Sequence, residues 1–156
     1  MAAINAPWKN KWVLRVFGIG LGALWFYWMH WVPVMGESME PAVPDGSVVI
    51  SRNYFPWERP QKGQIVISKI PQMVFEKIPK LKKKPPNYTI VKRVTAVEGE
   101  VVNNQVLAPE TYWLTGENRK HSADSRFFGP VPRSDLINQV VFVIHPFWQT
   151  WGWKEK

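Results

Sequence analysis

Three short stretches carry the residue types from which a hydrolytic site could be assembled. Gly36-Glu37-Ser38-Met39-Glu40-Pro41 offers a hydroxyl, Val91-Lys92-Arg93-Val94 an amine, and Gly116-Glu117-Asn118-Arg119-Lys120-His121-Ser122-Ala123-Asp124-Ser125-Arg126 a polar turn that could hold both. A Ser hydroxyl is a weak nucleophile at neutral pH and needs a base within hydrogen-bonding reach. A neutral Lys can be that base, and burial favours the neutral form by stripping water from the ammonium. Side chains alternate across a strand, which puts Lys92 on one face with Ile90 and Val94, and Arg93 on the other with Val91 and Thr95. A Lys so placed either snorkels to water along its stem or is buried with a lowered pKa. Ser38 by itself also fits a plain turn, since Gly, Ser and Pro are the residues that end helices and begin loops. A Ser-His-Asp triad from Ser38, His121 and Asp124 lacks any separate oxyanion signature. His30, His121 and His145 have no ligand-like spacing, so no metal and no cofactor are expected.

Positioning these groups falls to a long apolar run and a series of short strands. Residues 16–35 contain no Asp, Glu, Lys or Arg, and at 1.5 Å per residue a helix of that length spans roughly 30 Å, the thickness of a bilayer's hydrocarbon core. The run is therefore expected to be a transmembrane helix. A cleaved secretory signal fits less well, because the bulky Trp28-Met29-His30-Trp31-Val32-Pro33 end has no small-residue cleavage pattern. A buried core helix is the third reading, weakened by Gly18, Gly20 and Gly22. Residues 1–15 form a basic segment with Lys9, Lys11 and Arg15 and no acid, whereas Glu37, Glu40 and Asp45 follow the run. That asymmetry places the N-terminus on the cytoplasmic or matrix side and residues 36–156 across the membrane. His30, near the end of the run, either reaches the interface or acts within the membrane.

Beyond Pro41 the pattern is that of a small antiparallel β domain, giving a mainly β fold on a single helix. Strands are expected at 47–51, 64–68, 88–97, 112–115 and 139–145, with 98–100 turning the longest of them into a hairpin with 101–107. Tyr54, Phe55 and Trp57 lie beside Pro56 and read as either a membrane-touching loop or a packed loop tip. Five Lys between 77 and 84, followed by Pro85 and Pro86, make an exposed loop suited to solubility or to anionic lipid or a partner.

At 156 residues there is room for one domain and one anchor. The chain is 46% hydrophobic and holds ten Trp, grouped around residues 25–31 and 148–153, which excludes a disordered chain and suits a membrane interface. A net charge of +8 suits an anionic lipid surface or nucleic acid, but the Lys-rich stretch has no stacking platform, so nucleic acid is not expected as a partner. Without cysteine there is no thiol nucleophile, disulfide framework or thiolate metal site.

The three stretches, in this order behind an apolar run, resemble the type I signal peptidases, including the mitochondrial inner membrane peptidases. The first matches the nucleophile box, the second together with Glu98-Gly99-Glu100 the base box, and the 116–129 segment the last box, so that the likeness covers most of residues 12–146. The resemblance implies Ser38 as nucleophile and Lys92 as general base. It further implies that Ser122 orients the Lys92 amine, that Asp124 and Arg126 pair to support the turn, and that the Ser38 N–H donates to the oxyanion. Gly36 stands where many bacterial members carry a second, hydroxyl donor. The chain has no room for the large extra β domain of many Gram-negative enzymes, which resembles the short mitochondrial form and also the short Gram-positive one. The expected activity is removal of signal or presequence peptides from precursor proteins at the mitochondrial inner membrane, with the β domain in the intermembrane space, or at a bacterial plasma membrane with the domain outside. Expected partners are those precursors, the lipid bilayer and a related peptidase subunit. A competing reading is an inactive scaffold subunit with the same fold, against which the intact Ser38 and Lys92 argue.

Overall fold

The computed structural model describes residues 11–70 and 88–145. The lysine-rich segment 77–84 with Pro85 and Pro86, Lys9, and Trp148, Trp151 and Trp153 lie outside the described residues. Helix α1 (Lys11–Trp28) is followed by strands β1 (Met29–Pro33), β2 (Val48–Asn53), β3 (Ile65–Lys69), β4 (Thr89–Ala96), β5 (Val101–Val102), β6 (Gln105–Val106) and β7 (Thr111–Thr115). A short helix α2 (Ser125–Phe128) leads to β8 (Val131–Pro132) and β9 (Leu136–Ile144). Seven strands form one sheet in the order β1-β2-β9-β3-β4-β7-β8, and every pairing in it is antiparallel.

The apolar run does not form the single helix expected over 16–35. The helix begins earlier, at Lys11, and stops at Trp28; Met29–Pro33 is extended and pairs with β2, Trp31 opposite Ile50 and Pro33 opposite Val48. Aromatic and β-branched side chains favour a strand here, and Pro33 disfavours a helical conformation at Val32. Hydropathy cannot register this, because the stretch is equally apolar as helix or strand. At 18 residues α1 is about 27 Å long. None of its residues is buried, and no helix among the described residues is long and apolar enough to cross a membrane.

One further expectation is corrected by the sheet. The 101–107 segment does not fold back on β4: β5 and β6 pair with each other as a separate hairpin, and β4 lies between β3 and β7. The turn of that hairpin is Asn103-Asn104, with φ of 51° and 62°, the left-handed pair that a two-residue loop needs and Asn tolerates. The last strand, β9, is inserted between β2 and β3. A long-range insertion of this kind leaves no local trace in sequence.

The sheet is covered on both faces. Val66 joins Tyr54, Val94, Tyr112, Leu114 and Leu136 in one cluster, while its neighbour Ile67 joins Val34, Met39, Val43 and Val49 in the other, as strand alternation requires. Tyr54 is thus a core residue, with the Arg133 guanidinium 4.6 Å over its ring, and not part of an exposed aromatic loop. Phe55 and Trp57 are exposed; Phe55 stacks on Trp57 with ring centres 5.1 Å apart and meets Trp28 at the end of α1 at 4.9 Å. Ser47 is fully buried, and its Oγ has no hydrogen-bond partner among the described residues. Because an unpaired buried hydroxyl carries its desolvation cost, Ser47→Ala is expected to leave stability unchanged or raise it by up to about 1–2 kcal/mol, read as the midpoint of urea unfolding. A clear loss of stability would show that the hydroxyl is satisfied in solution.

Candidate active site

Ser38 is held by a turn with anchors on both sides. Gly36 has φ of +111°, a conformation that side-chain-bearing residues rarely adopt, and its N–H donates to Asp45 Oδ1 at 2.6 Å. A single 3₁₀ turn, Glu37–Met39, follows, closed by Glu40 N–H donating to the Glu37 carbonyl. Met39 is almost wholly buried in the core, which fixes the turn and leaves its neighbour Ser38 half-buried at the surface. The Gly36 N–H is occupied by Asp45, whereas the Ser38 N–H has no acceptor among the described residues.

Lys92 comes from β4, opposite Val66 in the register and on the same face as buried Val94. The two outcomes open to it are decided in favour of burial, at 3% exposure. Its Nζ lies 2.7 Å from Ser38 Oγ and donates to the Val91 carbonyl at 2.9 Å. Desolvation pushes the amine down to about 8, although the negative charge of Asp124 acts in the opposite direction. An amine that gives one N–H to Val91 can aim its lone pair at the Ser38 hydroxyl, as general-base chemistry requires.

The polar turn is built around Asp124. Its carboxylate is fully buried and accepts from Gly116 N–H at 2.9 Å, Ser122 Oγ at 2.7 Å, Arg126 N–H at 3.2 Å, and Arg126 Nε and Nη2 at 2.8 Å each. Burial alone would raise its pKa, but the hydrogen bonds from Arg126, Gly116 and Ser122 outweigh that and lower it. Ser122 gives its hydroxyl proton to Asp124, and the hydrogen-bond partners of the Lys92 amine among the described residues are Ser38 and the Val91 carbonyl. The turn is docked on Ser38: Asn118 N–H donates to the Ser38 carbonyl at 3.1 Å. His121 faces Glu37, with Nδ1 and Oε2 2.9 Å apart, and is hydrogen-bonded to neither Ser38 nor Asp124, which removes the histidine-triad arrangement.

A cleft of about 300 Å³ opens beside Ser38 and Lys92, walled by residues 32–35 at the end of β1 and by 88–91 at the start of β4. Sequence reading missed the first wall, because it lay concealed in the apolar run. It also missed Gly116. A Cβ at this position would overlap Ser122 and come within 2.5 Å of the Ser38 carbonyl oxygen, a contact set by the fold and invisible in a Gly that could equally mark a turn. Among the described residues no group of three or more His, Asp or Glu could hold a metal ion.

The model of the family described as "Signal peptidase, peptidase S26" matches residues 9–106 and 101–148. Among similar proteins, the mitochondrial inner membrane protease subunit 1 of Mus musculus is 31% identical over 126 residues, covering 72% of this chain and 67% of that protein. The subunit 1 of Homo sapiens is 29% identical over 125 residues, with 71% and 66% covered, so the chain spans about two thirds of these relatives' length. The mitochondrial inner membrane protease subunit 2 of Schizosaccharomyces pombe is 28% identical over 160 residues, covering 92% of this chain and 82% of the relative. With its antiparallel sheet and with a family match that runs through all three chemistry-bearing stretches, the chain belongs to the signal peptidase family, peptidase S26.

Proposed function

We propose that this protein is a membrane-anchored serine endopeptidase that removes signal or presequence peptides from precursor proteins through a Ser38–Lys92 dyad. The observation that carries the reading is the 2.7 Å approach of Lys92 Nζ to Ser38 Oγ in a setting that keeps the amine dry. Neutral Lys92 takes the Ser38 proton as Oγ attacks the scissile carbonyl carbon, and the Ser38 N–H donates to the oxygen that becomes negative. The resulting ammonium returns its proton to the leaving amine as the peptide bond breaks. Lys92, neutral again, deprotonates the water that hydrolyses the ester, and Ser38 is restored. Asp124, Arg126 and Ser122 are supports: they fix the turn that seats the Ser38 carbonyl.

The extended substrate lies in the cleft between the end of β1 and the start of β4. Helix α1, with its exposed apolar surface, is the membrane anchor, and the exposed pair Phe55 and Trp57 beside Trp28 suits the headgroup level. The relatives named mitochondrial inner membrane protease subunits 1 and 2 support a place in the mitochondrial inner membrane, with the β domain in the intermembrane space and a related subunit as partner.

The reading is tested with detergent-solubilised protein and a presequence-bearing precursor. Cleavage by the wild type that disappears in Ser38→Ala is the expected result. Equal cleavage by both proteins, or none by the wild type across a panel of precursors, would overturn it in favour of a scaffold subunit.

A further inference from the structure

Glu37 and His121 lie 84 positions apart in the chain, yet each is the immediate neighbour of a residue already placed at the site, Glu37 of Ser38 and His121 of Ser122. Their contact closes a ring. The Ser38 carbonyl accepts from Asn118 N–H at 3.1 Å, the Asn118 carbonyl accepts from His121 N–H at 3.1 Å, and the His121 ring returns to Glu37 at 2.9 Å. Gly116 packs so closely under the same Ser38 carbonyl that the two segments have no slack between them. Neither Glu37 nor His121 lines the cleft, and neither is hydrogen-bonded to Ser38 Oγ or Lys92 Nζ.

We propose that Glu37 and His121 are a positioning pair that clamps the turn bearing the nucleophile onto the 116–126 turn, a role that rests on the Ser38–Lys92 reading above. Both side chains are more than half exposed, so the pair adds little to global stability. Its effect falls on the direction of Ser38, where a small misplacement slows the chemical step without weakening substrate binding.

The test is a double-mutant cycle in the full chain, with Glu37→Gln, His121→Ala and both together, read as kcat and KM on a precursor. Each single change is expected to lower kcat about threefold with KM little altered, and the double change to be no worse than either. His121→Asn, whose amide nitrogen takes the place of Nδ1, should restore most of the rate. Hydrogen exchange gives a readout free of catalysis: the Asn118 amide and residues 36–39 should exchange faster in the single variants, while β3 and β4 do not change. Strictly additive rate effects, or unaltered exchange at Asn118, would overturn the clamp. Absence of cleavage by the wild type would instead count against the peptidase reading, with exchange still deciding the pair.

Discussion

Lys92→Arg is expected to reduce precursor cleavage by on the order of 10³-fold although the positive charge is kept. A guanidinium stays protonated throughout the accessible pH range and cannot accept the Ser38 proton. In the wild type the rate should rise with pH through about 8, the value to which burial lowers the Lys92 amine, and level off above it. A histidine base would place that rise lower. Burial has a second consequence, of determinable sign. In the unfolded chain the amine titrates near 10.5, so between about 8 and 10.5 the unfolded state holds a proton that the folded state has released. Stability should therefore grow as pH rises through this window, and the cost of the dry amine should be constant below it. Lys92→Met, close in shape and without charge, should be inactive and should lack this pH-dependent component of stability. Near wild-type processing by Lys92→Arg, with the protein folded by circular dichroism, would rule out Lys92 as the base.

The second large effect is expected at a residue with no functional group. In Gly116→Ala the new methyl would lie 2.5 Å from both Ser122 Cβ and the Ser38 carbonyl oxygen, distances that real Cβ atoms do not adopt. The backbone must give way, and the groups that shift are the turn around Asp124 and the Ser38 carbonyl. Activity should fall by on the order of 10²-fold, as displacements of about 1 Å at a reacting group do. Stability should fall by about 1–3 kcal/mol from overpacking. Gly20→Ala is the matched control, since a Cβ there meets nothing within 4 Å. Wild-type kcat in Gly116→Ala would mean that the two turns can separate without harm to the site, against the packing described.

What the sequence by itself determined is local. The period-two alternation along β4 put Lys92 on the face of Val94, and that is the face on which it lies. Strands β2, β3, β4 and β7 could be read to within about two residues of their bounds, because β-branched runs between turn residues need no distant information. The residue types of Ser38, Lys92 and the 116–126 turn carried the resemblance to the family that the comparison then showed.

What only the tertiary structure decided depends on residues far apart in the chain. Burial of Lys92, and hence its lowered pKa, comes from Val66 on β3 and from the turn that covers it, and no local pattern separates that from a snorkelling lysine. The split of the apolar run into α1 and β1 required β2 as a pairing partner, since hydropathy is the same in either conformation. Ser122 donates to Asp124 because the buried carboxylate, two residues away, gathers the donors around it. The 2.7 Å between Lys92 and Ser38 spans 54 positions of sequence, and only the folding of residues 34–43 over the sheet, anchored by buried Met39, brings the two together.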